Sequence, residues 1–158
     1  MYEDLIEVKC SSENIFDGTL LHVRRDTVRL PNGDVILVRQ FRYPIGKVTL
    51  EVPAGKLDME GEDPLHCARR ELSEETGYTA ARYDKLTVIA TTVGFSNEYI
   101  HLYLARNLSV GKQHTDEDEF VNVVQMPFSE ALAMIKTGEI IDSKTIISLM
   151  MAEERLRG

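Results

Sequence analysis

The stretch Arg69-Arg70-Glu71-Leu72-Ser73-Glu74-Glu75-Thr76-Gly77-Tyr78 decides how this chain is read. On a helix, Glu71 and Glu75 stand one turn apart and Glu74 lies on the same side. Like charges at that spacing destabilise an isolated helix by roughly 0.2–0.5 kcal/mol per pair, part of which Arg70 offsets by pairing with Glu74. A face that repels itself makes physical sense when a cation sits against it. Carboxylate oxygens are hard ligands suited to Mg2+ or Mn2+, and Mg2+ prefers a few carboxylates completed by water and phosphate oxygens. The plain alternative is a solvated helix face laced with ion pairs.

Immediately upstream, Asp63 can cap this helix, and Pro64 fits its first position, where a missing N–H costs nothing. Leu65, Ala68 and Leu72 recur at helical spacing, and Gly77 is a natural stop. The first half of the chain reads as strands. One covers 19–30, ended by the turn Pro31-Asn32-Gly33-Asp34; another runs through 35–38 and 40–43; a third covers 48–52 and stops at Pro53-Ala54-Gly55. Past the helix, strands are expected over 83–92, 99–105 and 120–125. A second helix should cover 129–137, entered through Pro127 and closed by Gly138. A third starts after Asp142, with Ser143 as an alternative cap, and runs towards Arg155. Helices placed irregularly among strands imply an α/β or α+β sandwich, not a doubly wound sheet.

At 158 residues, a single domain over 1–158 is the expectation. A hydrophobic share of 43% with 28% charged residues is that of a folded globular chain. Eighteen Lys and Arg against 26 Asp and Glu give a net charge of −8, which argues against general nucleic-acid binding. No apolar run approaches the roughly 20 residues a membrane helix needs. Met1-Tyr2-Glu3-Asp4 lacks a basic-then-apolar export pattern. Cys10 and Cys67 make no zinc spacing, so a reducing, cytoplasmic setting is expected. Histidines 22, 66, 101 and 114 likewise form no metal pattern and read as structural or exposed.

Residues 55–78 resemble the Nudix box, a loop–helix–loop pattern, through Gly55, Glu62, Arg70, Glu71, Leu72, Glu74, Glu75, Gly77 and Tyr78. One residue more than the usual spacing separates Gly55 from Glu62, and it falls in the turn Asp58-Met59-Glu60-Gly61. The resemblance implies a Nudix fold, a mixed β-sheet sandwiched between helices (an α/β/α sandwich). It further implies hydrolysis of a nucleoside diphosphate linked to another group, with divalent ions bridging the diphosphate. Carried over, Glu71 and Glu75 are the leading metal ligands, Glu75 also counting as catalytic; Glu74 and the Ala54 carbonyl follow. Glu62 and Arg70 hold loop and helix in place.

A second resemblance, to the ADP-ribose pyrophosphatase subgroup, spans nearly the whole chain. It rests on Arg39-Gln40-Phe41-Arg42-Tyr43-Pro44, Glu51-Val52-Pro53-Ala54-Gly55-Lys56-Leu57 and Gly94-Phe95-Ser96-Asn97-Glu98. The acidic run Asp116-Glu117-Asp118-Glu119 and Gly138-Glu139-Ile140-Ile141-Asp142-Ser143-Lys144-Thr145 complete it. By this likeness Arg42, Glu51, Phe95 and Glu98 are substrate-binding residues, Arg42 gripping phosphate oxygens and Glu98 accepting from ribose hydroxyls. Glu119 and Glu117 are the candidates for the general base, with Asp118 behind them. The implied reaction takes ADP-ribose to AMP and ribose 5-phosphate with Mg2+, or Mn2+ in its place. A homodimer is implied too, built with the N-terminal strands of 1–33, where Phe16-Asp17-Gly18 sits. Two features depart from the subgroup: Thr92-Val93-Gly94 stands where Ser-Pro-Gly is usual, and Asn32-Gly33-Asp34 leads almost directly into the 35–38 strand. With no Trp in the chain, Phe16, Tyr43 or another ring must stack on a base. Another nucleoside diphosphate sugar is therefore the alternative substrate, and a module that binds ADP-ribose without cutting it is the alternative role.

Overall fold

The computed structural model describes residues 8–17, 22–29, 33–57, 61–111 and 121–157, the first two spans as backbone. Its strands are β1 (Val8–Asp17), β2 (His22–Arg29), β3 (Asp34–Arg42), β4 (Lys47–Glu51), β5 (Tyr78–Ala90), β6 (Tyr99–Val110) and β7 (Val121–Pro127). Its helices are α1 (Pro64–Thr76), α2 (Phe128–Thr137) and α3 (Ser143–Arg157), and a 3-10 turn at Tyr43–Ile45 joins β3 to β4. This is the α+β architecture expected. The described strands form three sheets, β1–β2, β4–β3–β7 and β5–β6, each ladder antiparallel. Among the described residues no helix is long and apolar enough to cross a membrane. Residues 58–60, the turn residues 30–32, and the stretch carrying His114, Glu117, Asp118 and Glu119 lie outside the described residues, as do the side chains of Cys10, Phe16 and His22.

The central sheet has two unlike faces. Val35 pairs with Met126, Leu37 with Val124 and Leu50 with Arg39, so alternation puts Val35, Leu37, Leu50, Val52, Val124 and Met126 on one side. That side meets Ala131, Ile140 and Leu149 of the α2–α3 layer in the main core. The opposite side carries Val38, Gln40 and Arg42 of β3 with Glu51, Thr49 and Lys47 as their cross-strand partners on β4. Leu37 and Val38 are both buried, so β3 is covered on both sides. Sequence alternation thus separates a packing face from a polar face within one sheet.

Helix α1 forms where the sequence says it should. Asp63 Oδ1 accepts from the backbone N–H groups of Leu65 (2.9 Å) and His66 (3.1 Å), Pro64 opens the helix, and Gly77 closes it at φ 72°. The expected 83–92 strand starts instead at Tyr78, right after that stop, and its partner runs on to Val110. Tyr78 pairs with Val110 and Ala90 with Tyr99, so partner pairing makes strand of a 78–82 stretch whose own pattern is weak.

Candidate active site

Glu51 is the last residue of β4 and the most heavily bonded acid on the polar face. Arg42 grips it with both edges of a fork, Nε to Oε1 at 2.7 Å and Nη2 to Oε2 at 2.6 Å. Thr49 donates to Oε1 at 2.5 Å, and Lys144 Nζ donates to Oε2. The residue is 2% exposed. Burial by itself pushes its carboxyl up, but hydrogen bonds from Arg42, Lys144 and Thr49 outweigh it and bring the pKa from 4.5 down to about 2. Arg42 in turn is raised, chiefly by its hydrogen bond to Glu51, against the cost of burial, with the charges of Asp142 and Glu75 adding to the effect.

The bidentate edge that the sequence assigned to phosphate is therefore taken by Glu51. A guanidinium carries five N–H groups, so those not committed to Glu51 remain for another acceptor. The Arg42 side chain is 41% exposed and keeps that outer edge in reach of solvent. Glu51, expected to bind substrate, lies beneath Arg42 with both carboxylate oxygens engaged by protein donors.

Next in the chain comes the loop 52–57, and α1 packs its acids against it. Ala54 N–H donates to Glu75 Oε2 at 3.1 Å, and Glu75 is 2% exposed. At Gly55 an added Cβ would overlap the buried Glu71 carboxylate. Glycine is required here by close approach, not by turn geometry. Arg70 lies 2.8 Å from Glu71 Oε1 and 2.9 Å from Glu74 Oε2, and donates to the Lys56 carbonyl at 3.0 Å. Its Nε is 3.5 Å from Glu62, whose side chain is buried and meets His66 Nδ1 at 3.1 Å. Cys67, a buried thiol, donates to the same Lys56 carbonyl at 3.2 Å. Arginine and thiol together tie the loop to the helix.

Among the described residues no three His, Cys, Asp or Glu side chains gather closely enough to enclose a cation. A divalent ion that takes one or two carboxylates and completes its shell with water and phosphate does not need three. Glu71 and Glu75, one turn apart and buried against the Ala54–Gly55 segment, offer hard oxygen donors of the right kind. The donor set fits a divalent ion. Glu74, turned towards Arg70 and more exposed, stands at the rim.

Phe95 and Glu98 lie on the β5–β6 connection. Phe95 is 89% exposed in a turn closed by Phe95 and Ser96 N–H groups on the Thr92 carbonyl at 3.2 and 2.9 Å. Glu98 is exposed, with its N–H on Ser96 Oγ at 3.1 Å. The site also holds residues the sequence reading passed over. Asp142 caps α3 by accepting from Thr145 N–H (3.0 Å) and Thr145 Oγ1 (2.6 Å), and Lys144 Nζ lies 3.0 Å from it. Thr145 Oγ1 accepts from Val52 N–H at 2.8 Å. The signal was present in Asp142-Ser143-Lys144-Thr145, which read as a helix start and as part of the subgroup likeness, with no role given to its side chains.

A family model described as NUDIX domain matches residues 20–149. An ADP-ribose pyrophosphatase of Bacillus subtilis (strain 168) is 37% identical over 172 residues, covering 93% of this chain and 92% of that protein. A methanol dehydrogenase activator of Bacillus methanolicus is 39% identical over 168 residues, covering 90% of each. A GDP-mannose pyrophosphatase of Yersinia enterocolitica is 41% identical over 132 residues, covering 78% of this chain and 68% of that one. Among solved structures, an ADP compounds hydrolase superposes with a TM-score of 0.71 over 96% of this chain and 95% of its own, at 19% identity, a likeness of fold.

Proposed function

This chain belongs to the NUDIX domain family, and we propose that it hydrolyses the diphosphate bond of a nucleoside diphosphate derivative, cutting ADP-ribose to AMP and ribose 5-phosphate. One observation carries the reading: the buried pair Glu71 and Glu75 lies against the Ala54–Gly55 loop, close enough to Arg42 for the charge of Glu75 to act on it. Dication ligands and a half-exposed cation side by side suit a diphosphate. Glu71, Glu75 and the Ala54 carbonyl would hold Mg2+, with Glu74 joining from the rim. When bound, the ion neutralises phosphate charge and makes water a stronger nucleophile. The outer edge of Arg42 takes a phosphate oxygen. Glu119 or Glu117 accepts the proton of the attacking water, Glu98 accepts from ribose hydroxyls, and the exposed Phe95 ring offers the nucleotide an apolar contact.

Purified protein incubated with Mg2+ or Mn2+ and a panel of ADP-ribose, ADP-glucose, GDP-mannose, NADH and nucleoside triphosphates tests this. Preferential release of AMP from ADP-ribose supports the reading, and ADP-ribose binding without turnover under either metal overturns it. GDP-mannose is the second substrate reading, favoured by the relative that acts on it. Comparing Glu119→Gln with Glu117→Gln shows which acid serves as base: that variant alone loses the rising acid limb of the pH–rate profile.

We also propose that 1–158 forms one domain that works as a homodimer in the cytoplasm. Exposed Phe41, Tyr43, Ile45 and Val48 at one end of the β3–β4 ladder support self-association. The buried Cys67 thiol, donating to the Lys56 carbonyl, supports a reducing compartment. Sedimentation at micromolar concentration giving only a monomer would reject the dimer.

A further inference from the structure

Lys144 is buried in the first turn of α3, yet its ammonium reaches Glu51 on β4 and Asp142 beside it. Burying an ammonium is costly, and an apolar side chain of that length would pack without the cost, so the pair is weak evidence for stability alone. Its geometry suggests a different use. Glu51 Oε2 receives Lys144 Nζ on one side and Arg42 Nη2, at 2.6 Å, on the other. Oε1 receives Arg42 Nε at 2.7 Å and Thr49 at 2.5 Å. The carboxylate is thereby fixed in plane, and a planar guanidinium bound through two parallel N–H groups takes its orientation from that plane. Thr145, the next residue, holds Val52 N–H at 2.8 Å, so the same helical turn fastens the backbone at the point where β4 becomes the Ala54–Gly55 loop.

We propose that Lys144 is a positioning residue for Arg42, setting through Glu51 the angle at which the outer guanidinium edge meets the substrate's phosphate. This rests on the reading of Arg42 as the phosphate grip. Arg42, Glu51, Lys144 and Asp142 sum to no net charge, so the device works by orientation, not by adding positive field. Removing Lys144 leaves Arg42 and Glu51 paired and Thr49 on Oε1, but frees the Oε2 end of the carboxylate, and the guanidinium with it, to swing.

Steady-state kinetics on ADP-ribose with Mg2+ test this in wild type, Arg42→Ala, Lys144→Met and the double variant. Lys144→Met should lower kcat/KM by up to about 100-fold, the scale for displacing a positioning group by an ångström, while the same change in the Arg42→Ala background adds nothing further. The Arg42 Nε–H resonance, identified by its loss in Arg42→Lys, should shift or broaden in Lys144→Met, a signal a purely structural lysine would leave in place. Lys144→Arg, which keeps a charged donor to Glu51, should restore part of the activity and carries the same cycle if Lys144→Met does not fold. Additive effects of Arg42→Ala and Lys144→Met, or an unmoved resonance, overturn the positioning role and leave the function intact. An Arg42→Ala variant with unchanged KM and kcat overturns the reading of Arg42 itself, and the proposal with it.

Discussion

Replacing Glu51 by Gln removes one charge, keeps the shape, and leaves Arg42 and Lys144 facing each other without their shared counter-ion. A fall in pKa from 4.5 to about 2 corresponds to roughly 3 kcal/mol of stability at neutral pH, at about 1.4 kcal/mol per unit. Solvent screens part of this, because the Arg42 side chain is 41% exposed. Breaking one partner of a buried ion pair costs about 3–5 kcal/mol independently of that arithmetic, so a loss of about 3 kcal/mol is expected. For a chain of this size the midpoint should fall by about 6–12 °C. The sign of the pH dependence follows from the direction of the shift. A carboxyl held below its unfolded value contributes fully above pH 4.5 and loses that contribution as pH falls towards about 2. Urea unfolding of wild type and Glu51→Gln at pH 7 and pH 3 measures both quantities. The gap should be widest at pH 7 and much narrower at pH 3. A gap equal at both pH values, or absent at pH 7, would refute the electrostatic account of this cluster.

Gly55→Ala places a methyl against the Glu71 carboxylate and should destabilise the fold by about 1–3 kcal/mol, read as a lower urea midpoint, with a higher Mg2+ concentration needed for half-maximal turnover. Glu75→Gln should cut ADP-ribose turnover at least about a hundredfold with the circular dichroism spectrum unchanged, and a fully active variant would reject the metal assignment. Asp63→Ala removes two N-cap bonds and should cost about 1 kcal/mol by thermal melting, with kcat unaffected.

How much of this could be read beforehand depended on how local the cause was. Helix α1 was legible because cap, first-turn proline, periodic apolar residues and closing glycine all lie within the 63–77 stretch. The faces of β3 and β4 were legible in outline, since alternation alone separates Leu50 from Thr49 and Glu51. The start of β5 at Tyr78 was not, because Tyr78-Thr79-Ala80-Ala81-Arg82 becomes strand by pairing with 106–110. The pairing partner of Glu51 was further away still: Lys144 and Glu51 are separated by 93 positions, and no local pattern links them. A likeness to known segments placed both residues in one list, but only the fold made them touch.

The two sets of acids at the site illustrate why their roles differ despite identical chemistry. Glu51 is surrounded by protein donors, and its low pKa reflects charge already neutralised by Arg42 and Lys144. Glu71 and Glu75 are buried on a helix face whose nearby cation, Arg70, is also committed to Glu74 and to the Lys56 carbonyl. A chain of net charge −8 repels a diphosphate, and screening within about 8 Å at physiological salt leaves short-range groups to decide the encounter. On the proposed reading the attraction comes from the outer edge of Arg42 and from a dication held beside the Ala54–Gly55 loop. Glu51 lets Arg42 stand on that face with a fixed angle, while Glu71, paired with Arg70, and Glu75, accepting from Ala54 N–H, are the acids that would turn to a dication in the proposed reaction.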